Sequence, residues 1–440
     1  MQNHQPLRGF KDIIDKNGDY FELYSLCLKI AKQNCYYEAI TPVLEKSSLF
    51  ERGMGEDSDA ASKELYKFNF YDESLALRPE FTAGIARMII NYPEFIKGHK
   101  DKLGLSLFSF APVFRHDRPQ AGRYRQFFQA NFECFKSTSP LTDASCITMA
   151  IEILSSYANL QDSGLSLVVK INSLGSQQTK QKYASLLTDY LQDHQEGLSE
   201  DSKARLVKNP LRILDSKDAK DREILQNAPK ITDCLSEDEV SHFNRTCLAT
   251  EQFLQSNPCY SNVKLQSDFS LVRGLDYYTS TVFEILPVVN GKEGLTVFAG
   301  GRYDDLISSL SDGKCKMPAF GFACGVERLI ELKYQALSMG ASSNQLQNKP
   351  NQTKLAVIII CNKDNYPAAF KLALQVKNQA LNQALQANAS FAYRVIEATK
   401  SKLNQALEHC EADGFNARCI IGDKEVESNT VPDWNIKPVS

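Results

Sequence analysis

The sequence has little that would tie it to a membrane or a targeting pathway. Its longest uninterrupted apolar run is the seven residues from Leu355 to Cys361, whereas a helix that spans a bilayer needs roughly 20. The first residues, MQNHQPLRGFKD, contain neither the apolar region of a secretory signal nor an Arg-rich transit segment. We therefore expect a soluble, cytoplasmic protein with no membrane partner.

Closely spaced cysteine pairs are also lacking. The twelve cysteines are scattered from Cys27 to Cys419 without a CxxC or CxxH pair, and the six histidines are unclustered as well. Zinc ribbons and fingers need such pairs, and a disulfide framework belongs to secreted proteins. Reduced and mostly buried thiols are the expected state, and no metal constellation is predicted.

A charge excess of either sign is missing too. Lys and Arg number 50 against 53 Asp and Glu in 440 residues, a net charge of −3. The uniformly basic character of many nucleic-acid binders is therefore excluded, and any polyanion must bind locally. With 43% hydrophobic and 23% charged residues the composition is globular, and the length allows about three domains.

Strand patterns dominate the first part of the chain. Residues 126–135 alternate apolar and polar side chains with a period of two, and residues 282–299 contain two strand patterns around an Asn290-Gly291 turn. Helical patterns surround them without regular βαβ alternation. Long antiparallel strands with flanking helices predict an α+β domain.

Two changes in composition predict the domain boundaries. Residues 171–258 are charged and helix-prone, which predicts a helical insertion into a core formed by residues 1–170 and 259–337. Residues 338–353 are rich in Ser, Asn and Gln without apolar periodicity, as linkers are. Strand and helix patterns alternate in residues 354–440 and predict a small α/β domain.

Positive charge is concentrated in FRHDRPQAGRYRQF, between two predicted strands. The segment carries Arg115, Arg118, Arg123 and Arg125 against Asp117, a local net charge of +3. Because a guanidinium group can hold two phosphate oxygens at once, the segment suits a triphosphate or a nucleic acid. An exposed basic hairpin with solvated charges is the alternative.

Polar residues line one face of the strand that follows. Gln129, Asn131 and Glu133 alternate with apolar residues, so they share one side of the strand. That side is either plain surface or the wall of a pocket for a small cationic or amide-bearing ligand. Glu80 and Thr82 begin a predicted helix, where the helix dipole alone would also explain a carboxylate.

Three later segments have residues that a ligand site would explain. LVRGLDYY places Arg273 in a polar turn before Tyr277 and Tyr278. In FAGGRYDDL, paired glycines leave a strand and would allow close approach of a ligand. GFACGVERL puts Arg328 in the first turn of a helix, which is unfavourable for a cation unless phosphate binds there.

Taken in order, these segments resemble the class II aminoacyl-tRNA synthetases. FRHDRPQAGRYRQF is similar to their motif 2 and GFACGVERL to their motif 3. LVRGLDYYTSTVFEI and AGGRYDDL resemble the two signature motifs of the histidine enzymes, and INSLGS and NPLRILDSK resemble segments of their insertion. The resemblance, which is to the bacterial type, runs from RGFKDI at residue 8 to CIIGDKEV near the end.

The resemblance implies ligation of L-histidine to tRNA(His) with ATP, through a histidyl-adenylate, with release of AMP and pyrophosphate. It implies Mg²⁺ alongside ATP and a homodimer in which the first long helix, within residues 19–34, contributes to the interface. The implied fold is a class II antiparallel-sheet catalytic domain with a helical insertion. Residues 354–440 would then form an α/β anticodon-binding domain.

Site residues follow from the same resemblance. Arg115 and Arg273 would be catalytic, with Arg115 on the α-phosphate and Arg273 bridging that phosphate and the carboxylate of histidine. Glu133 and Tyr278 would bind the imidazole, and Gln129 would bind the α-amino group together with Glu80 and Thr82. The implied sets are Glu80, Phe81, Thr82, Arg115, Gln129, Glu133, Arg273, Tyr277 and Tyr278 for histidine, Arg115, Arg123, Phe127 and Arg328 for ATP, and Arg118 and Gln120 for the tRNA acceptor end.

Two other functions share parts of this pattern. One is a non-catalytic relative that binds histidine as a regulatory subunit, which the retained Arg115, Arg273 and Arg328 and residues 354–440 disfavour. The other is a nucleotide- or RNA-binding protein without ligase activity. Three positions depart from the family's pattern, namely Phe81 for a common Gly, Ser280 for an Arg and Asp305 for a small residue.

Overall fold

The computed structural model describes residues 5–55, 63–92, 105–118, 122–272, 275–339, 352–362, 365–386, 390–412, 415, 417–432 and 435–436. Statements below about what the structure contains refer to these residues. The chain divides into two compact units, Met1–Gly340 and Ala341–Ser440. Among the described residues no helix combines the length and the apolar composition that crossing a membrane requires.

The first unit contains both long and short helices. They are α1 (Asp19–Gln33), α2 (Ser47–Met54), α3 (Thr82–Asn91), α4 (Pro140–Ala158), α5 (Leu160–Ser163), α6 (Gln177–Asp193), α7 (Glu200–Lys208), α8 (Ala219–Leu225), α9 (Glu237–Ser256), α10 (Leu306–Leu310) and α11 (Val326–Met339). Short 3₁₀ helices lie at Gln195–Gly197, Pro210–Asp215, Ile231–Cys234 and Pro258–Tyr260.

The strands of this unit form one large and one small sheet. They are β1 (Tyr37–Glu38), β2 (Leu44–Lys46), β3 (Lys67–Phe70), β4 (Glu73–Leu77), β5 (Leu105–Phe114), β6 (Gln126–Phe135), β7 (Ser166–Ser173), β8 (Val263–Ser267), β9 (Thr279–Val289), β10 (Lys292–Glu293), β11 (Phe298–Arg302) and β12 (Ala319–Gly325). The small sheet has the order β2-β4-β3.

The large sheet is mainly antiparallel. Its described strands follow the order β1-β5-β6-β12-β11-β9-β7-β8, with β10 beside β9. Among the described strand pairs of this sheet, only the terminal ones, β1 with β5 and β7 with β8, are parallel. The α+β class that the strand patterns predicted is therefore confirmed.

Helices α1, α4 and α11 pack with this sheet around a continuous apolar core. Helix α4 begins with Ser139, whose hydroxyl accepts a hydrogen bond from the Leu141 amide, and with Pro140 in the first turn, a favourable start for a helix. On α1 an apolar stripe includes Leu23 and Cys27, which are fully buried in the core of the same unit. The stripe is thus occupied by the chain's own packing.

The segment between β7 and β8 is helical and consists of α6, α7, α8, α9 and short 3₁₀ turns. Residues 171–173, placed in the predicted insertion, form the end of β7 because they pair with β9. Ser176, Ser199 and Ser236 cap α6, α7 and α9, each accepting a hydrogen bond from the amide three residues later. These caps explain why helices begin where Ser interrupts the charged pattern.

The second unit is a small α/β fold. Its sheet has the order β14-β13-β15-β16, in which β13 pairs in parallel with β14 and β15. Leu355 and Val357 of β13 pack with Leu372 and Val376 of α12 and with Cys419 of β15. The elements are β13 (Gln352–Ile359), α12 (Tyr366–Gln386), β14 (Ser390–Glu397), a 3₁₀ turn (Lys400–Lys402), α13 (Leu403–Ala412), β15 (Ala417–Ile421), α14 (Asp423–Glu427) and β16 (Asn435–Ile436).

Candidate active site

A cavity of about 880 Å³ lies against the large sheet in the first unit. Its walls come from β6, β9, β11 and β12, from the start of α3 and α11, and from the insertion. Sequence-predicted residues in the wall are Glu80, Thr82, Arg115, Arg123, Phe127, Gln129, Tyr277, Tyr278 and Arg328. Residues separated by more than 240 positions in the sequence are thus brought to one site.

One end of the cavity, which we call the arginine end, is formed by Arg115, Arg123 and Arg328. The Arg115 Nε atom donates to the Pro79 carbonyl at 2.8 Å, and its guanidinium lies 5.7 Å from the centre of the Phe127 ring. The Arg328 Nε and Nη1 atoms donate to the carbonyls of Gly122 and Thr296 at 3.0 and 2.9 Å. Backbone carbonyls therefore hold two of the three cations in place.

The arginine end is electrostatically costly without an anion. Burial lowers the pKa of Arg328, and the neighbouring charges of Arg123 and Arg115 lower it further. Arg123 is partly compensated by Asp117, whose carboxylate lies 3.0 Å from its Nε atom. Several phosphate groups would relieve this repulsion, because they supply negative charge and oxygen acceptors together.

Glu64 is a cavity residue that the sequence did not single out. Burial raises the pKa of this carboxyl group, and the adjacent Asp117 raises it further, while Arg115 and Arg123 act in the opposite direction. The Glu64 carbonyl also accepts a hydrogen bond from the His116 amide at 2.7 Å. A lone Glu in a charged loop offers no periodic signal, so only the fold shows its position.

Glu80 combines both explanations that the sequence left open. Its two carboxylate oxygens accept hydrogen bonds from the amides of Thr82 at 2.5 Å and Ala83 at 2.8 Å, so it caps α3. The same side chain lines the cavity and is almost completely buried, and burial raises the pKa of its carboxyl group. A cap that borders a cavity presents a carboxyl group to a ligand in a fixed position.

Behind the wall residues Thr82 and Asn131 lies a buried hydrogen-bond network, which we call the Glu133 end. The Glu133 carboxylate accepts from the Thr82 hydroxyl at 2.5 Å, from the Asn131 side-chain amide at 3.1 Å and from the Tyr303 hydroxyl. Burial raises the pKa of Glu133 to about 7 although these three donors act to lower it. Glu133 lies directly beneath the wall residues Thr82 and Asn131.

Two glycines make room for this end. Gly321 is the β12 partner of Glu133, and a Cβ atom there would lie 1.7 Å from a carboxylate oxygen of Glu133. A Cβ at Gly301 would lie 2.6 Å from the Thr281 carbonyl and 3.0 Å from the Tyr278 ring. The glycines therefore make room for Glu133 and Tyr278 of the protein itself, whereas the paired glycines in the sequence suggested room for a ligand.

Tyr277, Tyr278 and Gln129 also line the cavity. The two tyrosine rings have centres 4.7 Å apart. The Gln129 Oε1 atom is buried and has no hydrogen-bond partner among the described residues. An unpaired buried carbonyl oxygen costs about 1–3 kcal/mol, which a ligand with N–H groups would recover.

A bulge helps to place Tyr278. Strand β9 shifts register against β11 between Gly301 and Arg302, which pairs with Thr279. Ser280, one of the departures from the family's pattern, has a φ angle of 44° at this point. Bulges change the direction in which side chains leave a strand, and here the irregularity directly follows Tyr278.

The remaining predicted residues are not gathered in the wall. Arg273 and Gln120 lie outside the described residues. Phe81 packs in the core, where the guanidinium of Arg78 lies 4.5 Å from its ring centre, and Arg118 is exposed on the loop after β5. No group of three potential metal ligands is found among the described side chains.

The insertion supplies a wall that sequence reasoning missed. It contributes parts of α7 and of the turn Pro210–Asp215, including Arg205 and Arg212. Burial raises the pKa of Asp215 in this wall, as does the charge of Glu284 on β9. NPLRILDSK was noted for its resemblance alone, because its polar residues follow no pattern that indicates which of them face inwards.

Comparisons with known proteins agree on one family. A family model described as histidyl-tRNA synthetase matches residues 16–329. A histidine-tRNA ligase of Rickettsia bellii (strain RML369-C) is 38% identical over 97% of this chain and 93% of its own, and one of Picosynechococcus sp. is 39% identical over 87% and 86%. The solved apo histidyl-tRNA synthetase of S. aureus is 25% identical with a TM-score of 0.67, covering 98% of this chain and 94% of its own.

Proposed function

The chain belongs to the histidyl-tRNA synthetase family, and on that premise we propose that the cavity is where it joins L-histidine to tRNA(His). The chain is an aminoacyl-tRNA ligase that uses ATP. The observation that carries the assignment of the site is the pairing, within one cavity, of three convergent arginines with an amide and carboxylate network.

In the first step the histidine carboxylate attacks the α-phosphate of ATP and pyrophosphate leaves. Arg115 stabilises the charge that builds on the α-phosphate, and Arg123 and Arg328 hold the rest of the triphosphate. Phe127 stacks on the adenine. The chemistry needs little more than alignment and fixed positive charge, which are worth several kcal/mol in a cavity that excludes water. Arg273 is proposed to bridge the two reacting groups.

The Glu133 end binds the amino acid. Gln129 accepts hydrogen bonds from the α-amino group, whose positive charge is stabilised by Glu80 beside Thr82. Glu133 and Tyr278 are proposed to bind the two nitrogens of the imidazole ring. Since an analogue without those nitrogens would leave buried polar groups unpaired, such a site discriminates strongly.

In the second step the terminal ribose hydroxyl of tRNA(His) attacks the histidyl carbonyl and AMP leaves. Arg118 and Gln120 are proposed to contact the acceptor end. Residues 354–440 are proposed to bind the anticodon, joined to the core by the linker 338–353, whose first residues end α11 and whose last residues begin β13. The core is proposed to consist of residues 1–173 and 259–337, with the insertion between β7 and β8. Arg118 is exposed on the loop after β5, as a tRNA contact requires.

Mg²⁺ is proposed to accompany ATP. The site offers carboxylates of the right chemistry, because Glu64 and Asp117 lie together beside Arg115 and Arg123. Mg²⁺ is commonly held by one or two carboxylates together with substrate phosphates. These two residues would hold the ion, which would neutralise part of the triphosphate charge.

A homodimer in the cytoplasm is proposed as the working form. The apolar stripe of α1 is buried in the core of its own unit, so an interface between two copies needs other residues. Three large apolar residues in and after α1 are exposed. Phe21 exposes 73% of its surface, Tyr37 exposes 59% and Ile40 exposes 87%. An exposed apolar group of this kind is suited to contact with a second copy.

The decisive experiment is ATP–pyrophosphate exchange with the purified full-length protein, run separately with each of the twenty amino acids. We expect exchange with histidine alone. Folded protein that shows no exchange at saturating histidine would reject the proposed function, and equal exchange with several amino acids would reject the role of the Glu133 end.

A further inference from the structure

Lys180, on helix α6 of the insertion, reaches the strand-entry segment that carries the two tyrosines. Its Nζ atom donates to the backbone carbonyls of Asp276 and Tyr278, both at 2.9 Å. Burial lowers the pKa of this ammonium group, and the charges of Asp276 and Asp305 oppose that shift. One side chain of the insertion thus holds both ends of the segment 276–278.

Other contacts join the insertion to the same segment. The Asn209 side-chain amide donates to the Asp276 carboxylate at 3.3 Å, and the Arg212 guanidinium lies 3.9 Å from it. The Ser280 amide donates to the Gly175 carbonyl at 2.8 Å, and the Leu174 amide donates to the Ser280 carbonyl at 2.7 Å. The segment and the start of β9, which follows it, are therefore held by several groups of the insertion.

The Lys180 contact acts on the backbone and not on the ligand. The Tyr278 ring packs against Gly301, where a Cβ atom would lie 3.0 Å from it, so a shift of the Tyr278 backbone would move the ring out of this contact. A binding group must be held within a fraction of an ångström to be effective. Loss of both Nζ bonds would leave two carbonyls at the segment without their charged donor.

We propose that Lys180 is a positioning residue that couples the insertion to histidine binding by holding Tyr277 and Tyr278 in the wall. The proposal rests on the proposed function, in which Tyr278 binds the imidazole. It predicts that a change at Lys180 acts on histidine and leaves ATP binding at the arginine end nearly unaffected. A purely structural lysine would affect both substrates alike.

The test compares Lys180→Met, which retains the length of the side chain without its donors, with Lys182→Met as a matched control. Lys182 is exposed on the same helix. In pyrophosphate exchange we expect the KM for histidine to rise about tenfold or more in Lys180→Met, with the KM for ATP and kcat within about threefold of the unmodified protein. Lys180→Arg, which can donate to both carbonyls, should restore most of the affinity.

Two results would overturn the proposal. One is a histidine KM in Lys180→Met within about twofold of that of Lys182→Met. The other is an equal rise in the KM for both substrates together with a lower melting temperature, which indicates a structural role only.

Amide hydrogen exchange provides a readout that needs no activity. We expect peptides that cover residues 275–282 to exchange faster in Lys180→Met and unchanged in Lys182→Met, and unchanged exchange in both would contradict the tether. If the unmodified protein shows no histidine-dependent activity, the proposed function fails, and hydrogen exchange still decides whether Lys180 holds the segment.

Discussion

At the arginine end, Arg115, Arg123 and Arg328 bring like charges together around the cavity, whereas at the Glu133 end a single carboxylate is surrounded by donors. Arg115 and Arg328 depend on backbone carbonyls for their position. Glu133 depends on side chains from α3, β6 and the residue after β11. Glu133 therefore has its hydrogen-bond donors in place before a ligand binds, whereas the positive charges of the arginine end are only partly compensated.

That difference accounts for what each end does in the proposed reaction. Repelling cations gain most from a polyanion whose charge rises in the transition state, which favours rate. A carboxylate with its hydrogen bonds already formed is held in one orientation and rejects groups that cannot complete the network, which favours selectivity. We expect variants at the arginine end to lower kcat and variants at the Glu133 end to change the KM for histidine.

The largest effect is expected at the arginine end. Arg115→Ala removes the cation proposed to lie on the α-phosphate, and kcat for pyrophosphate exchange should fall about 10²- to 10³-fold. Arg115→Lys keeps the charge without the planar fork and should recover only part of the loss. A normal kcat in Arg115→Ala, measured with both substrates saturating, would contradict the assignment of this end.

Glu133→Gln should impair the Glu133 end. Its effect should be smaller than that of Arg115→Ala and should fall on histidine more than on ATP. The amide cannot provide two acceptor oxygens to Thr82, Asn131 and Tyr303, so kcat/KM for histidine should fall about 10- to 100-fold. The KM for ATP should change less than about threefold. Equal losses for both substrates would show that the two ends are not separable in the way we propose.

Tyr303→Phe sharpens the comparison through pH. The Tyr303 hydroxyl donates to ionised Glu133 and helps to lower its pKa, which burial raises to about 7. Removing that donor should raise the pKa further, so the rise of kcat/KM for histidine with pH should move to higher pH. The check is the pH profile from about 5.5 to 8.5, because an unmoved midpoint would exclude Glu133 as its origin.

The raised pKa of Glu133 also affects stability. Since its pKa when folded, about 7, exceeds the ordinary value near 4.3, this group favours the folded state most below that ordinary value. Its contribution is lost as pH rises towards 7. Glu133→Gln should therefore lose less stability at pH 7 than at pH 4.5, as measured by denaturant unfolding.

The smallest effect on catalysis is expected from Asp221→Asn in the insertion, at a residue that is not assigned to either end. Asp221 is buried, and hydrogen bonds from Ser199, Ser202 and Ser216 outweigh that burial and lower its pKa to about 2. The variant should lose about 1–2 kcal/mol of unfolding free energy at neutral pH, a loss that shrinks as pH falls from about 4 to 2. Both KM values should remain close to normal, and a selective rise in either would show that the insertion acts on the cavity through more than Lys180.

Much of the fold was accessible from patterns that are local in the chain. The alternation in residues 126–135 predicted β6 and the common face of Gln129, Asn131 and Glu133. The clustering of Arg115 and Arg123 predicted a cationic site, because the charge of a single loop can be counted without knowing what packs against it. Periodicity and local charge can both be read directly from the sequence.

Several contacts at the site had no local signal. Tyr303 and Glu133 are 170 residues apart, and Lys180 is 96 residues from Asp276. Tyr303 stands in AGGRYDDL and Lys180 in a charged helical segment, but neither pattern distinguishes a buried donor from an ordinary side chain. Their roles depend on which backbone atoms and side chains the other elements place opposite them.

The sequence by itself determined the α+β class, the arginine-rich loop, the polar face of β6 and, through its ordered motifs, the family. These properties are carried by neighbours in the chain, where side-chain direction follows directly from helix and strand geometry. Only the tertiary structure decided that Gly301 and Gly321 make room for Tyr278 and Glu133, and that the insertion holds the tyrosine segment. Packing distances and hydrogen-bond partners between remote elements exist only once those elements have come together.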